Sequence, residues 1–296
     1  MAISAKMVKD LRDKTGAGLM DCKKALVENN GDFEQSIDWL REKGISKAEK
    51  KASRVAAEGL VEVQTDGNTA IIFELNCETD FVAKNDKFSA LVKKLGQALI
   101  DAKPENQEAA LNAEVDGKAI KDLLLSETAT IGEKITLRRY ELITKKDDQV
   151  FGSYVHFGGS IGAVVVLEDG DEEMARNLAM HVAASNPQYI SRNEISDEVI
   201  KHETEVLKAQ ALNENAESDK PKPEHIIEKM VVGRLNKNFK DICLMSQPYV
   251  KNPDDNIKTY LKSAGASVAL FKRLAVGEGI EKKEENFAEE VMNQSR

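Results

Sequence analysis

Residues 69–95, "TAIIFELNCETDFVAKNDKFSALVKKL", change from a strand pattern to a helix pattern within a few positions. In the first part Phe73, Leu75 and Cys77 alternate with other residues, which places all three on one face of a strand. In the last part, from Phe88 onward, apolar residues recur at spacings of three and four, as they do along one face of a helix. A strand that leads through a short polar turn into an amphipathic helix predicts an α+β fold in which the helix covers the sheet.

The turn between these two elements contains an aromatic residue among polar ones, Phe81. Thr79 and Asp80 precede it with turn and helix-capping chemistry, while Lys84 and Asn85 interrupt any helical apolar stripe that would include it. Two interpretations remain open. If the strand continues, Phe81 joins its buried face and is an ordinary core residue. If the turn forms, Phe81 is exposed and is typical of a residue that fills a pocket in a partner protein.

Upstream of the quoted stretch, residues 4–44 read as three short helices. Ser4 and Asp32 are suited to begin helices, glycines punctuate the intervening turns, and Gly44 is expected to end the third helix. The pattern predicts a compact three-helix module over residues 1–45. Residues 46–58 are rich in alanine and basic side chains, and we interpret them as a linker.

Around and beyond the quoted stretch, a strand hairpin followed by a helix occurs twice. The first hairpin turns at Asp66-Gly67, and the second turns at Gly158-Gly159. The repetition predicts a two-part α+β core with antiparallel sheets. We assign residues 59–147 to the first half of this core. The second half comprises residues 148–190 and 236–277, and its last strand is predicted from residue 266 onward.

The second half is interrupted by a predicted insertion. Residues 191–235 contain two amphipathic helices joined by a polar, proline-containing turn, which predicts an inserted helical hairpin. Its apolar stripe is thin, so the hairpin either packs on its own chain or pairs two copies of the protein; both interpretations stay open. Residues 278–296 are predicted to form a C-terminal helix.

Composition restricts the classes of partner. The chain of 296 residues has 42 Lys and Arg against 51 Asp and Glu, a formal net charge of −9. An acidic protein is poorly suited to neutralise a phosphate backbone, so we expect a protein partner and no direct nucleic acid contact. The longest apolar runs are too short to cross a bilayer and the first residues lack the apolar core of a signal peptide, so we expect a cytoplasmic protein without membrane contact.

No pattern of catalytic or metal-binding residues emerges from the sequence. The turn Gly16-Ala17-Gly18 follows a helix and lacks the ending of a phosphate-binding loop, so it reads as a helix–helix turn. The cysteines lack paired spacing, which favours buried, reduced thiols, and the four histidines are too scattered for a metal site. We therefore expect no cofactor and no metal, although an enzyme whose groups converge from distant positions remains an alternative.

Four segments of the chain resemble the bacterial translation elongation factor Ts family, in the same order as in that family. They are "LRDKTGAGLMDCKKAL" (11–26), "NCETDFVAKN" (76–85), "MHVAASNPQYI" (180–190) and "VGEGIEKKEENFAEEV" (276–291). The resemblance implies a guanine nucleotide exchange factor rather than an enzyme with covalent chemistry. Its partner would be elongation factor Tu, a GTPase that must release GDP before GTP can bind.

The resemblance also implies roles for segments and residues. The three-helix module is similar to ubiquitin-associated domains and would hold the GTPase. The family's magnesium-dislocation loop corresponds to Thr79, Asp80, Phe81 and Val82. Further partner contacts are implied at Met20, Ile131 and His156. The family commonly has an arginine in the loop that follows this histidine, whereas Ser160 stands here.

From these implied roles we expect Phe81 to enter between two helices of the GTPase and Asp80 to act near its magnesium shell, with Thr79 capping the turn. A small displacement is enough to spoil the near-octahedral coordination that Mg²⁺ requires. The alternative to an exchange factor is a passive adaptor, in which the three-helix module binds a protein surface and the remaining chain is a dimerising scaffold.

Overall fold

The computed structural model describes residues 3–15, 17–218 and 220–281, while the side chains of residues 45–49 and of Phe157 are not described. The described residues form an α+β fold, which confirms the predicted class. The α-helices are α1 Ala5–Thr15, α2 Leu19–Glu28, α3 Phe33–Glu49, α4 Asp80–Ala83, α5 Asp86–Ala102, α6 Gln107–Asn112, α7 Ile120–Ile131, α8 Glu172–Ser185, α9 Asp197–Ala216, α10 Glu224–Ile242 and α11 Ile257–Lys262. The strands are β1 Glu58–Asp66, β2 Thr69–Cys77, β3 Glu114–Val115, β4 Lys118–Ala119, β5 Thr136–Thr144, β6 Gln149–His156, β7 Ile161–Glu168, β8 Pro248–Tyr249, β9 Asn252–Asn256 and β10 Ser267–Ala275.

Helices α1, α2 and α3 pack into the predicted N-terminal module around buried Leu11, Cys22 and Leu26. Both predicted caps are present: the hydroxyl of Ser4 accepts the Met7 N–H at 3.2 Å, and the Asp32 carboxylate accepts the Gln35 N–H at 2.9 Å. Such caps satisfy backbone donors that a helix leaves unpaired at its first turn. Helix α1 ends at Thr15 and α2 begins at Leu19, while Gly16 of the predicted helix–helix turn lies outside the described residues.

The third helix does not end at Gly44, as the sequence analysis expected; it continues to Glu49. Gly44 instead marks the crossing between α3 and α7. A Cβ atom at Gly44 would lie 3.1 Å from the Cβ of Ala129, closer than most such contacts. The glycine therefore allows two helices to approach closely, and this tertiary role was wrongly interpreted as a helix stop.

Two three-stranded antiparallel sheets form the centre of the molecule. One has the order β1-β2-β5 and the other has the order β10-β7-β6. Helix α5 covers the outer face of the first sheet, and α8 covers the outer face of the second. The two inner faces pack against each other through apolar side chains that include Val61, Ile72, Val164 and Val166. The predicted two-part core with antiparallel sheets is therefore present.

Strand β2 is buried along its whole length because both of its faces are covered. Phe73, Leu75 and Cys77 face α5, as the alternation predicted, while Ile72 faces the second sheet. Glu74, which also alternates onto the inner face, is fully buried. Its presence on an otherwise apolar strand requires specific partners, since an unpaired buried charge is strongly unfavourable.

Those partners come from β5 and from the segment after β10. The Glu74 carboxylate accepts hydrogen bonds from Arg138 at 3.1 Å, from Arg139 Nε at 2.6 Å and from the Gly277 N–H at 2.7 Å. Burial opposes its ionisation, but the hydrogen bonds from Gly277, Asn76 and Arg139 outweigh burial and lower the pKa of Glu74. The ionised carboxylate thus joins the first sheet to the chain that leaves the second sheet.

Helices α9 and α10 form the predicted hairpin, with Leu207, Val231, Leu235 and Phe239 among the buried side chains between them. The hairpin therefore packs on itself, but Val206, Leu212 and Val232 are exposed, and pairing of two copies stays a prediction. At its base the buried His181 Nε2 lies 2.9 Å from Gln247 Oε1. Burial lowers the pKa of His181, which favours the neutral imidazole.

Residues 276–279 form a turn after β10, and the predicted C-terminal helix falls mainly on residues 282–296, which lie outside the described residues.

In the part of the chain that the structure describes, none of the helices has the length and apolar character needed to cross a bilayer. Cys22, Cys77 and Cys243 are free and buried, as predicted.

Candidate functional site

The candidate site is the short connection between β2 and α5. Strand β2 ends at Cys77, and Thr79 begins the four-residue helix α4 with an extended backbone (φ −125°, ψ 155°). The Thr79 hydroxyl accepts the N–H of Val82 at 3.4 Å, and the side chain of Asn85 accepts the N–H of Lys87 at 2.9 Å to begin α5. The predicted capping chemistry is therefore what turns the chain from strand to helix.

Phe81 projects from α4 into solvent and is 83% exposed. Ala83 on the same helix is buried, and Val82 packs partly against the first half of the core. The interpretation of Phe81 as a core residue is therefore wrong, because the strand stops four residues earlier and α4 turns its other side inward. A fully exposed large aromatic side chain is uncommon on a folded surface without a partner.

Asp80 lies beside the aromatic ring in sequence and carries an ion pair with Lys84, one helical turn further on, at 2.6 Å. The hydrogen bond from Lys84 lowers the pKa of Asp80, so the carboxylate is ionised at neutral pH. Both side chains are substantially exposed. The tip of the connection thus presents an aromatic ring next to an exposed, ion-paired carboxylate.

Behind the tip, the connection is fastened by Glu133, which follows α7. One of its carboxylate oxygens accepts the backbone N–H groups of Glu78 at 3.2 Å and Thr79 at 2.9 Å, and the other accepts the Thr79 hydroxyl at 2.7 Å. In return Glu78 accepts the N–H of Lys134 at 2.6 Å and pairs with Arg54 at 3.2 Å. The sequence analysis missed these contacts because they join residues that are far apart in the chain, 24 positions for Arg54 and Glu78 and 54 to 56 positions for the others.

The thiol of Cys77 completes the inner side of the connection. It donates to the Thr79 carbonyl oxygen at 3.2 Å. Burial, with the nearby Glu133 and Glu58 carboxylates, raises the pKa of Cys77 to about 12. The thiol stays protonated at neutral pH and is a poor nucleophile, which fits a structural contact rather than a reactive group.

Two further predicted residues lie near the same end of the double sheet. Ile131 ends α7, is half-buried against the first half of the core and precedes Glu133 by two positions. His156 ends β6, where its Nδ1 lies 2.8 Å from the Tyr154 hydroxyl. The turn after it approaches β1, since a Cβ at Gly159 would lie 2.6 Å from the Leu60 side chain.

Ser160, which stands where the resemblance implies an arginine, closes the turn after His156. Its hydroxyl donates to the His156 carbonyl oxygen at 3.2 Å, and its own carbonyl oxygen accepts the Val276 N–H at 2.9 Å. The side chain is occupied within the turn and is too short to reach a partner as an arginine would. This surface therefore offers the histidine without an adjacent guanidinium from position 160.

Met20 lies apart from these residues, in the N-terminal module. It is 72% exposed on α2 and shares a face with exposed Val27, seven residues later. Leu19 beside it is also exposed. The module thus presents its own apolar surface.

Across residues 3–15, 17–218 and 220–281, no three His, Cys, Asp or Glu side chains are grouped so that they could hold a metal ion. The groups that the candidate site presents at the surface are the exposed Phe81 ring, the ion-paired Asp80 carboxylate and the half-buried His156 imidazole.

The chain was compared with models of known protein families. The sequence profile of the family described as "Elongation factor TS" matches residues 78–278. The match covers more than half of the 296 residues and includes the connection from Glu78 onward, strand β5, the whole β10-β7-β6 sheet and the helical hairpin, while β1 and β2 lie before it.

Proposed function

The chain belongs to the elongation factor Ts family, and on this premise we propose that it binds GDP-bound elongation factor Tu and promotes GDP release through the connection at Phe81. Membership implies the role of nucleotide exchange factor for elongation factor Tu. Thr79, Asp80, Phe81 and Val82 are the residues through which we propose that the exchange is accelerated. The observation that carries this step is the exposure of Phe81, whose ring is 83% accessible on a connection fixed at both ends.

The free energy gained by burying this one side chain is large enough to change the rate of GDP release. Burying a phenylalanine side chain contributes about 1.5–3 kcal/mol. If that energy is gained mainly as the partner opens its nucleotide site, each 1.4 kcal/mol accelerates release by about tenfold. Insertion of Phe81 alone can therefore account for an acceleration of about 10- to 100-fold. No bond of the nucleotide needs to be broken.

Asp80 and Thr79 have separate roles in this proposal. The Asp80 carboxylate leaves Lys84 and acts on groups around the magnesium ion of the GTPase, where an additional negative charge competes with the ligands of the ion. Thr79 holds the first turn of α4 so that the ring and the carboxylate keep a fixed relation. Because GDP and the exchange factor weaken each other's binding by the same coupling energy, incoming nucleotide displaces the factor.

The other predicted residues serve docking. Residues 1–45 bind the GTPase domain through the apolar surface of α2 that contains Met20, while Ile131 and His156 contact the partner beside the connection. These contacts supply affinity, and Phe81 supplies the change in the nucleotide site. The helical hairpin is not needed for this step.

Release of a fluorescent GDP analogue from elongation factor Tu tests the proposal. The wild-type chain should accelerate release, Phe81→Ala should lose about 10- to 100-fold of the rate, and Phe81→Leu should lose less because part of the apolar volume remains. Lys87→Ala is the matched control, since it removes an exposed side chain in the first turn of α5 and leaves the ring and the Asp80–Lys84 pair in place. Binding without acceleration would favour the adaptor, and a wild-type rate for Phe81→Ala would refute the role of the ring.

A further inference from the structure

We propose that Glu133 is a positioning residue for nucleotide exchange: it holds residues 79–82 in the conformation that presents Phe81 to the partner. The inference deepens the proposed function and rests on it. Glu133 does not reach the tip of the connection itself. It acts through Thr79, to which it is joined by the contacts of both carboxylate oxygens.

Two hydrogen bonds join Glu133 to Thr79 and Thr79 to Val82, and so connect the residues that flank Asp80 and Phe81. The Thr79 hydroxyl donates its proton to Glu133 Oε1 at 2.7 Å, which leaves its lone pairs free to accept the N–H of Val82. Glu133 therefore fixes the direction of the hydroxyl that caps α4. Thr79 and Val82 stand on either side of the pair Asp80-Phe81, so the carboxylate controls the backbone at both ends of the tip.

Helix α4 needs this external support. It is only four residues long, and a helix of that length does not form on its own because nucleation fixes several residues for a single hydrogen bond. Glu78 ties the two segments together a second time. One of its carboxylate oxygens accepts the N–H of Lys134, and the other accepts a hydrogen bond from Arg54. Without Glu133 the connection still begins at β2 and ends at α5, but the cap of α4 loses its orientation.

Loss of Glu133 should reduce the fraction of molecules in which Phe81 is correctly placed for exchange. A side chain that is correctly placed only part of the time acts in proportion to that fraction. Docking through Met20 and His156 does not depend on Glu133, so the loss should appear in the maximal rate of GDP release. The concentration of GDP-bound elongation factor Tu that gives half of this rate should change little.

The first test is Glu133→Ala in the full chain. We expect the maximal rate of GDP release to fall by about tenfold with little change in KM, because hydrogen bonds to a charged acceptor are lost from the cap. Glu133→Gln should recover most of the rate, since its amide keeps an oxygen for the two N–H groups and donates to the Thr79 hydroxyl. Glu105→Ala, which removes an exposed glutamate elsewhere, is the control and should behave as wild type.

The second test combines Glu133→Ala with Phe81→Ala. If Glu133 acts by presenting the ring, Glu133→Ala should slow release less in the Phe81→Ala background than in the wild type, whereas a general loss of structure would multiply the two effects. A wild-type rate for Glu133→Ala, or multiplied effects, would overturn this inference while leaving a slow Phe81→Ala in place. A wild-type rate for Phe81→Ala would instead overturn the proposed function and this inference together.

Discussion

Replacing Glu74 by alanine should lower the free energy of unfolding by about 3 kcal/mol, the scale set by breaking a buried, hydrogen-bonded ion pair. The carboxylate is fully buried and accepts from Arg138, Arg139 and the Gly277 N–H. Both arginines are partly exposed, so water can solvate them once the carboxylate is gone. We therefore expect a loss of unfolding free energy at the lower end of the range for broken buried ion pairs.

Urea unfolding followed by circular dichroism measures this change, and amide hydrogen exchange at Gly277 locates it. In Glu74→Ala the Gly277 amide loses its acceptor and should exchange faster than in the wild type. Glu141→Ala is the matched control on the same sheet: its ion pair with Lys272 at 3.2 Å is at the surface and should contribute less than about 1 kcal/mol.

The pH dependence of the Glu74→Ala effect has a defined sign. Because the pKa of Glu74 is lowered in the folded protein, its contribution is fully present above the ordinary glutamate pKa of about 4.3. The contribution is lost as the pH falls through the lower folded-state pKa, so the difference between wild type and Glu74→Ala should narrow in that range. A loss below about 1 kcal/mol at neutral pH, with unchanged exchange at Gly277, would refute the role given to this carboxylate.

Four further substitutions test other parts of the structure. Gly152→Ala should destabilise the protein by about 3 kcal/mol, because the added Cβ would lie 2.0 Å from the backbone carbonyl carbon of Ala175. Gly233 lies on α10 with open space around it, so Gly233→Ala should stabilise the protein by about 0.5–1 kcal/mol. Urea unfolding of the two variants checks both values. The lowered pKa of His181 means that stability should decline as the pH falls below about 6.5, by up to about 1.4 kcal/mol per unit, and His181→Gln should lose this slope in urea unfolding across pH 5–7.5. Phe81→Ala should change the unfolding free energy by less than about 0.5 kcal/mol, because the ring is exposed; a larger loss in urea unfolding would mean that the ring supports the fold.

The parts of the fold that the sequence predicted depend on neighbours a few residues away. The caps at Ser4 and Asp32 are made within three residues, and the turn at Asp66-Gly67 closes a hairpin whose strands are adjacent in the chain. Alternation along β2 predicted which face meets α5. These features are local, so residue type and spacing carry the information they need.

The features that the sequence did not predict depend on distant partners. Gly44 was interpreted as a helix stop because a crossing with Ala129 of α7 has no local pattern. Glu133 carries no local sign that its carboxylate will meet Thr79, 54 residues earlier. The position of Glu74, a charged residue within an apolar strand, indicates that it needs partners. The sequence of that strand does not show that Gly277 is one of them.

The same separations decide when the core can be completed during synthesis. Glu74 finds the Gly277 N–H only after 203 further residues have been added, and the Ser267 end of β10 meets Glu168, 99 residues before it. At about 5–20 residues per second, the carboxylate waits roughly 10–40 s for that partner. An ionised side chain on the inner face of β2 stays hydrated in that interval. It thereby disfavours premature burial of the strand until the last strand arrives.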